Sequence, residues 1–271
     1  MSSLFNIKGK VIAVTGATGA LAGGTAKYLL SEGATVIFLS RNLEKVNATV
    51  ESARTISEQA YGYACDVLDE ARIREVKDDI IAQFGRIDAL VNGAGGNMPG
   101  ATISPDKTVF DLAISDYDSV MDLNLKGTLL PSLVFGEEMV KQKAGSIVNF
   151  SSMSSEQVIT RVLGYSNAKA AVDNLTRWMA TDFAQKFGDK IRVNAVAPGF
   201  FIGDQNRKLL TNEDGSYTER GQQVISNTPM GRFGEANEIY GAIHYLLCEA
   251  SRFVTGTTLN VDGGFSVYSG V

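Results

Sequence analysis

The sequence predicts an α/β fold: a single Rossmann-type, doubly wound parallel sheet of about seven strands with helices on both faces. Three observations support this. Apolar strand-like runs alternate with helical patterns along the chain. A glycine-rich turn joins the first such run to the first helical pattern. No repeat or Ser/Pro-rich linker divides the 271 residues, so we expect one domain over 1–271.

The first half of the chain contains four strand and helix pairs. Short apolar runs bounded by turn residues predict buried strands, and apolar residues at helical spacing predict the helices between them. The strand-like runs are VIAVT (11–15), TVIFL (35–39), YGYAC (61–65) and IDALVN (87–92), and the helical patterns span 22–32, 42–57, 69–84 and about 115–142.

The second half continues the alternation with one interruption. Its strand-like runs are SIVNFS (146–151), IRVNAV (191–196) and TTLNV (257–261), and helical patterns lie near 164–187 and 235–248. The stretch 199–232 shows neither periodicity. Because long irregular segments in compact domains are usually functional or disordered, we expect a substrate lid there.

Composition excludes several classes of partner. The net charge is −5, and 25 basic residues are mixed with 30 acidic ones rather than gathered in a stripe, so neither nucleic acid nor a membrane is expected as a partner. The start MSSLFNIKGK has no signal-peptide pattern, and no run of 18 apolar residues follows. These features predict a cytoplasmic protein.

The cysteine and histidine content gives no metal site. Cys65 and Cys248 lie far apart and form no CxxC pair, so we interpret both as small core residues. His244 is the single histidine, and we interpret it as structural. No metal is therefore expected.

The stretch TGATGALAGG (15–24) has the features of a dinucleotide loop. Such a loop needs a glycine for the tight turn, a glycine for close approach to the pyrophosphate, and a small residue where helix meets strand. Gly16, Gly19 and Ala22 supply these. The helix that starts near Leu21 then directs its N-terminal N–H groups at the phosphates.

The residues after the second strand bear on the choice of cofactor. An acidic residue there accepts hydrogen bonds from the ribose hydroxyls of NAD, whereas this chain has Ser40-Arg41-Asn42. Since no carboxylate repels a 2′-phosphate and Arg41 can bind one in a fork, NADP(H) is favoured, with NAD(H) as the alternative. A solvated loop arginine is the other interpretation of Arg41.

Tyr165 and Lys169 form a candidate proton-transfer pair. They lie four residues apart in GYSNAKAAVDNLTRWM, whose apolar spacing is helical, so both side chains share one helix face. An ammonium near a phenol favours phenolate, so we expect the Tyr165 pKa to be lowered and the phenol to exchange protons with a substrate oxygen.

With these residues in view, the chain resembles the short-chain dehydrogenase/reductase family over nearly its whole length. The matching segments occur in the family's order: the glycine loop, CDV (65–67), NGAG (92–95), NLKG (124–127), NFSSM (149–153), YSNAK (165–169), VNAVAPG (193–199) and VDGG (261–264). The resemblance implies an NAD(P)-dependent dehydrogenase or reductase that acts on CH–OH groups.

The resemblance also implies roles for individual residues. Ser152 would hydrogen-bond the reacting oxygen, Tyr165 would exchange the proton, and Asn124 would anchor a water that links Lys169 to solvent. Lys169 would also hold the nicotinamide ribose, and Asp66 and Val67 would contact the adenine. The expected cofactor-binding set is Gly16, Thr18, Gly19, Ala20, Leu21, Arg41, Asn42, Asp66, Val67, Asn92, Gly93, Ala94, Gly95, Tyr165, Lys169, Pro198 and Gly199.

The chain departs from the family pattern at a few positions. Ala20 and Ala22 stand where the family usually has glycines, and Gly93 replaces an asparagine. Gly203 stands where many members place a threonine against the nicotinamide carboxamide.

A narrower set of segments is similar to the branch of D-mannonate oxidoreductases, or fructuronate reductases. These segments are NGAGGNMPGAT (92–102), NLKGTLLPSLVFG (124–136), APGFFIGDQNRKLL (197–210), TERG (218–221), TPMGRFGE (228–235) and the C-terminal DGGFSVYSGV. We therefore expect interconversion of D-fructuronate and D-mannonate. The alternatives are a related sugar acid or polyol, as for a gluconate 5-dehydrogenase, a 3-oxoacyl thioester, or a dinucleotide sensor without catalysis.

A sugar acid needs hydrogen-bonding groups and a cation for its carboxylate. The expected substrate-binding set is Asn97, Ser152, Arg161, Tyr165, Gln205, Asn206 and Arg207. Arg161 is the first candidate for the carboxylate, Arg207 the second, and Arg220 and Lys208 follow. The resemblance implies a homo-oligomer, a tetramer or a dimer, built through the long helices near 115–142 and 164–187, and the alternative is that the apolar faces of these helices belong to the core.

Overall fold

A computed structural model describes residues 3–203 and 207–270. Its centre is a seven-stranded, wholly parallel sheet in the order β3-β2-β1-β4-β5-β6-β7. The strands are β1 Val11–Thr15, β2 Thr35–Ser40, β3 Ala60–Ala64, β4 Ala89–Asn92, β5 Gly145–Phe150, β6 Ile191–Pro198 and β7 Thr258–Val261. The predicted doubly wound α/β fold is confirmed.

Nine α-helices of the described residues connect and cover these strands. They are α1 Ala20–Ser31, α2 Leu43–Arg54, α3 Glu70–Phe84, α4 Ile114–Met121, α5 Gly127–Gln142, α6 Leu163–Phe187, α7 Arg207–Leu210, α8 Glu219–Ser226 and α9 Tyr240–Leu247. The helix expected over 115–142 is two helices joined by a π-helical turn at Asp122–Lys126, and the one expected over 235–248 begins as a 3₁₀ turn.

Two apolar layers bury the sheet, one on each face. The first packs α1, α2 and α9 on one face, around Leu29, Phe38 and Ile243, and the second packs α3, α5 and α6 on the other, around Ile80, Phe135 and Met179. Strands buried on both faces read as continuous apolar runs, which is why short segments such as VIAVT were recognisable.

The segment predicted to be irregular has structure of its own. Helices α7 and α8 lie within 199–232, and Leu210, Val224 and Phe233 form a small separate apolar cluster with Phe200 and Ile202 on its edge. Bridges at Phe201–Gly234 and Thr211–Tyr217 close it. The predicted lid is thus a small folded unit, since its apolar residues pack on each other.

In the described part of the chain, no helix combines the length and the apolar character that a membrane crossing needs.

Candidate active site

The strand order reverses between β1 and β4, and the carboxyl ends of these strands meet at a glycine-lined turn. Gly16 follows β1 with a φ of 66°, and a Cβ atom on it would lie 2.6 Å from the Gly93 carbonyl oxygen after β4. Only glycine fits both the positive φ and this close approach. In doubly wound sheets such a switch point is where ligands bind.

The first turn of α1 faces this point. Gly19 precedes the helix, has no side chain to cap it, and donates its N–H to the Gly16 carbonyl (2.9 Å). The free N-terminal N–H groups and the helix dipole of such a turn suit a phosphate. The residues present therefore fit the pyrophosphate of a dinucleotide.

Two of the departures from the family pattern compensate each other. Ala22 stands where the family has glycine, and Gly93 stands where it has asparagine. A Cβ on Gly93 would lie 2.5 Å from the Ala22 Cβ, so only one of the two positions can carry a side chain. The methyl group of Ala22 therefore requires a glycine at position 93.

The end of β2 presents polar and cationic groups. Thr18 Oγ1 and Ser40 Oγ share a hydrogen bond of 2.9 Å. Asn42 caps α2, its Oδ1 accepting from the Lys45 N–H (2.8 Å), and Arg41 is exposed. Lys45, which sequence reasoning missed, lines the cavity described below, because the first turn of α2 brings it back towards the glycine loop.

Asp66 and Asn92 are largely occupied within the fold. Asp66 accepts from the Leu68 N–H (3.0 Å) and so shapes the turn after β3. Asn92 is buried and donates to Ser132 Oγ (2.8 Å) and Asn149 Oδ1 (2.9 Å). The Asn92 side chain therefore joins β4 to β5 and α5. Gly93, Gly95 and Gly96 line the cavity, and contact between Asn92 and the cofactor stays a prediction.

Asn124 lies in the π-helical turn and is fully buried. Its Nδ2 donates to the Gly96 carbonyl (2.7 Å) and its Oδ1 accepts from the Gly96 N–H (3.0 Å). Single π turns are frequent at functional sites. The side chain thereby fixes the loop after β4 beside the cavity, a contact that no sequence pattern indicated.

Ser152 and Tyr165 meet at the carboxyl edge of β5. Ser152 is buried, and its Oγ accepts from the Ser154 N–H (3.2 Å). Burial raises the pKa of Tyr165, and a hydrogen bond to Ser152 partly offsets that increase. The phenol therefore keeps its proton at neutral pH.

Lys169 lies one turn after Tyr165 and is only 3% exposed. Its Nζ donates to the Phe150 carbonyl (2.7 Å) and lies 5.5 Å from the centre of the Tyr165 ring. Burial lowers the pKa of Lys169 to about 8, and the buried carboxylate of Asp173 opposes this shift. The ammonium thus lies between the end of β5 and the phenol.

The expectation that Lys169 lowers the pKa of Tyr165 needs correction. Burial dominates the Tyr165 pKa and raises it, and Ser152 rather than Lys169 opposes that rise. The physical reason is that a buried phenol loses more solvation on ionisation than this arrangement returns.

One cavity of about 530 Å³ joins the glycine loop to the Ser152, Tyr165 and Lys169 group. Of the predicted cofactor-binding residues taken together with Ser152, twelve belong to the wall of this cavity and six stand apart from it. Those on the wall are Gly16, Thr18, Gly19, Ala20, Leu21, Gly93, Gly95, Pro198, Gly199 and the group of three just named. Those off the wall are Arg41, Asn42, Asp66, Val67, Asn92 and Ala94.

The predicted substrate residues are scattered around this cavity. Asn97 is exposed and donates to Thr102 Oγ1 (2.9 Å). Arg207 is exposed on α7, whereas Arg161 is partly buried before α6. Gln205 and Asn206 lie outside the described residues. Gly203 borders the cavity.

His244, Cys65 and Cys248, which the sequence analysis interpreted as structural residues, are all buried. His244 is 4% exposed, its Nε2 donates to the Phe5 carbonyl (2.7 Å), and its Nδ1 accepts from the Tyr28 hydroxyl (3.0 Å). Cys65 and Cys248 are buried thiols, and burial raises the pKa of Cys65 to about 11. None of the three touches the cavity.

Comparison with known proteins places this geometry in a family. The family model described as enoyl-(acyl carrier protein) reductase matches residues 16–266. An uncharacterised oxidoreductase, UxuB, of Bacillus subtilis is 42% identical, over 98% of both chains.

Two solved structures are informative neighbours. A protein from Haemophilus influenzae, provisionally assigned as a D-mannonate oxidoreductase and solved with bound NAD, is 41% identical, with a TM-score of 0.91 over 98% of both chains. A gluconate 5-dehydrogenase from Burkholderia cenocepacia, in complex with NADP and tartrate, is 31% identical, with a TM-score of 0.84 over 97% of this chain and 98% of that one. The chain belongs to the short-chain dehydrogenase/reductase family and is an NAD(P)-dependent oxidoreductase that acts on CH–OH groups.

Proposed function

We propose that the protein interconverts a keto sugar acid and its secondary alcohol, with D-fructuronate and D-mannonate as the pair. The observation that carries the oxidoreductase chemistry is the single cavity in which the glycine loop, Ser152, Tyr165 and Lys169 meet. The sugar-acid assignment is supported by the 41% identical neighbour with that provisional assignment, and by the neighbour that holds tartrate, a hydroxy acid.

Each catalytic side chain has one task in this proposal. When bound, the nicotinamide cofactor supplies the hydride that goes to the carbonyl carbon. Ser152 donates a hydrogen bond to the carbonyl oxygen, and Tyr165 transfers its phenolic proton to that oxygen. The C=O bond becomes C–O–H, and Lys169 next to the phenol stabilises the tyrosinate until solvent returns the proton.

The raised pKa of Tyr165 keeps the phenol in its protonated form, which is the form that the proposed acid must have before reduction. A phenol that keeps its proton at neutral pH is ready to donate it during reduction of the ketone. Asn124 acts by positioning: it holds the Gly96 backbone and, through that loop, the wall of the cavity. Gly95 lies against Asn124 and Lys169, since a Cβ atom on Gly95 would be 2.7 Å from Asn124 Oδ1 and 3.3 Å from Lys169 Nζ.

We also propose that NADP(H) is the preferred cofactor. The end of β2 has no carboxylate, and two cations flank it: Lys45 on the cavity wall and the exposed Arg41. Both can reach a 2′-phosphate on the adenosine ribose. Because a neighbouring structure contains NAD, the ratio of kcat/KM for NADP(H) to kcat/KM for NAD(H) tests this proposal directly.

We further propose that the protein is a homo-oligomer, a tetramer or a dimer. The long helices carry exposed apolar side chains, Leu133 (45% exposed) on α5 and Trp178 (64%) on α6. Exposed apolar side chains of this size on the two long helices support an interface between copies of the chain at these helices. Light scattering after size-exclusion chromatography gives the state directly.

The function is tested by recording cofactor absorbance against a panel of uronates, aldonates, polyols and 3-oxoacyl thioesters, with NAD(H) and NADP(H) in parallel. We expect the highest kcat/KM with D-fructuronate and NADPH. Turnover confined to thioesters would contradict the sugar-acid proposal, and a higher kcat/KM with NADH would contradict the cofactor proposal.

A further inference from the structure

Two arginines from distant parts of the chain converge beside the connection that carries the catalytic serine and tyrosine. Arg161 lies between β5 and α6, and Arg220 is the second residue of α8. The Arg220 guanidinium donates to Thr160 Oγ1 (3.3 Å) and to the Thr160 carbonyl (3.4 Å), which places it next to Arg161. The two guanidinium groups repel each other, since the charge of Arg161 lowers the pKa of Arg220.

Neither arginine has an anionic partner among residues 3–203 and 207–270. Arg161 and Arg220 are absent from every ion pair of those residues. Burial lowers the pKa of Arg220, and its buried Nε has no hydrogen-bond partner. A partly buried cation beside a like charge is unfavourable unless an anion pairs with it.

The backbone holds Arg161 in an unusual conformation. Its φ is 78°, and its carbonyl accepts from the Ile103 N–H (3.0 Å) in the loop after β4. Left-handed non-glycine residues are strained and concentrate where function requires the geometry. Lys143 shares a positive φ but ends α5, a place where that conformation is common, whereas Arg161 ends no helix.

The helix that carries Arg220 is closely packed and capped. Gly221 lies so close to α7 that a Cβ there would be 2.1 Å from the Leu210 carbonyl, and Thr218 caps α8 by accepting from the Gly221 N–H (3.0 Å). Helix α8 therefore packs closely against α7, and Arg220 extends from a capped helix rather than from a loop.

Arg161 lies a short way along the chain from the reacting group, and Arg220 lies beside Arg161 through its contacts with Thr160. Arg161 precedes Tyr165 by four residues, so their Cα atoms are at most about 14 Å apart. Neither arginine is on the wall of the 530 Å³ cavity. A ligand bound at both places must therefore extend from Ser152 and Tyr165 towards the connection, as the carbon chain of a sugar acid can.

We propose that Arg161 and Arg220 together bind the carboxylate of the substrate, an inference that rests on the proposed sugar-acid function. Two guanidinium groups form charge-assisted hydrogen bonds with one carboxylate, and the anion removes their mutual repulsion. This assignment adds Arg220 to the predicted Arg161. It leaves Arg207, exposed on α7, outside the carboxylate site.

The test compares a charged ligand with a neutral one of the same carbon chain. D-Fructuronate and D-fructose differ in the terminal carboxylate, as do D-mannonate and D-mannitol. The variants are Arg220→Ala, Arg220→Lys and Arg161→Gly, the last because glycine accepts the positive φ. Arg252→Ala, an exposed arginine distant in sequence, is the matched control, and Arg207→Ala tests the alternative cation.

We expect Arg220→Ala and Arg161→Gly to raise the KM for D-fructuronate at least tenfold and to leave kcat/KM for D-fructose within about twofold. Arg220→Lys keeps the charge but not the fork, so an intermediate loss is expected. Thermal melts of each variant identify any that fails to fold. If Arg220→Ala fails, the KM of Arg220→Lys for D-fructuronate is used in its place.

Calorimetric titration of D-mannonate and D-mannitol into the enzyme with NADP⁺ separates the two proposals. Loss of D-mannonate binding in both variants supports the arginine pair even if the wild type reduces no keto sugar acid, a result that would overturn only the proposed function. Unchanged D-mannonate affinity in both variants, no D-mannonate binding by the wild type, or a loss confined to Arg207→Ala would overturn the arginine pair.

Discussion

The two ends of the cavity are built in different ways. At the cofactor end, backbone lies against backbone: Gly16 contacts the turn after β4, and Gly93 contacts Ala22, with no room for a further methyl group. Beyond the proposed substrate end, outside the cavity wall, the long side chains of Arg161 and Arg220 extend from a strained turn and a short helix. The first end is fixed by shape and the second by charge.

The difference predicts how each end responds to substitution. Added bulk at the cofactor end must move strands or helices of the core, so it should cost stability and cofactor affinity together. A lost charge at the substrate end leaves the sheet untouched, so it should alter selectivity between ligands while the fold stays intact. Arg41 and Lys45, near the end of β2, bind by charge. Their substitution should therefore alter selectivity and leave the fold intact, although these residues serve the cofactor.

Tyr165 lies where the two ends meet, and its removal should give the largest effect. Tyr165→Phe keeps the ring that packs beside Lys169 and removes the proton donor, so kcat should fall by ~100-fold or more, with cofactor affinity nearly unchanged. Stopped-flow absorbance gives kcat, and nicotinamide fluorescence gives the Kd of the cofactor.

The matched control is Tyr117→Phe, which removes another phenol beside α6, where Tyr117 Oη accepts from Asn167 Nδ2 (3.2 Å). We expect it to retain wild-type kcat. A Tyr165→Phe variant with a tenth of the wild-type rate would show that another group supplies the proton.

Arg41 tests whether charge, rather than shape, selects the cofactor. Arg41→Asp should shift the ratio of kcat/KM for NADP(H) over NAD(H) by at least ~10-fold towards NAD(H), because a carboxylate repels the 2′-phosphate and accepts ribose hydroxyls. Lys45→Ala should shift the ratio in the same direction by less. Arg252→Asp, with the same change of charge elsewhere, should leave it unchanged, and an equal shift there would reduce the effect to overall charge.

The Gly93 and Ala22 contact tests the steric end. Gly93→Asn should lower the free energy of unfolding because the new Cβ meets Ala22 at 2.5 Å. Ala22→Gly alone should cost about 1 kcal/mol through helix propensity. The double variant should recover part of the free energy of unfolding that Gly93→Asn loses. Urea denaturation of the four proteins should give a coupling energy of about 0.5–3 kcal/mol.

Ala26→Gly supplies the control for that cycle, since it makes the same change one turn further along α1 at another buried position. Its coupling to Gly93→Asn should be near zero. Equal coupling energies in the two cycles would mean that Gly93→Asn weakens α1 as a whole rather than through Ala22.

The smallest effect concerns the pH dependence of stability. Burial lowers the Lys169 pKa to about 8, below its ordinary value of about 10.4, so between these values the folded state binds fewer protons than the unfolded one. Stability relative to Lys169→Met should therefore rise by ~1–2 kcal/mol from pH 7 to 9.5. The exposed Lys190→Met should show no such difference, and a flat profile for Lys169→Met would contradict the lowered pKa.

Most of the strands and the cofactor turn could be predicted because their signals are local. VIAVT coincides with β1 Val11–Thr15, and the other six strands differ by at most a few residues from their runs. The π-helical turn around Asn124 could not be predicted, because it inserts one residue into a continuous helical periodicity. Lys45 was missed for a related reason, since a solvated lysine and a cavity lysine have the same sequence pattern.

The sequence by itself determined the fold class, the glycine turn and the Tyr165 and Lys169 pair, because each depends on residues close together in the chain. Only the tertiary structure decided which pKa effect prevails at Tyr165, that Asn92 supports the core, and that Arg220 lies beside Arg161. These outcomes depend on burial and on contacts between segments dozens of residues apart. Solvation and long-range approach are properties of the packed molecule, and local pattern does not encode them.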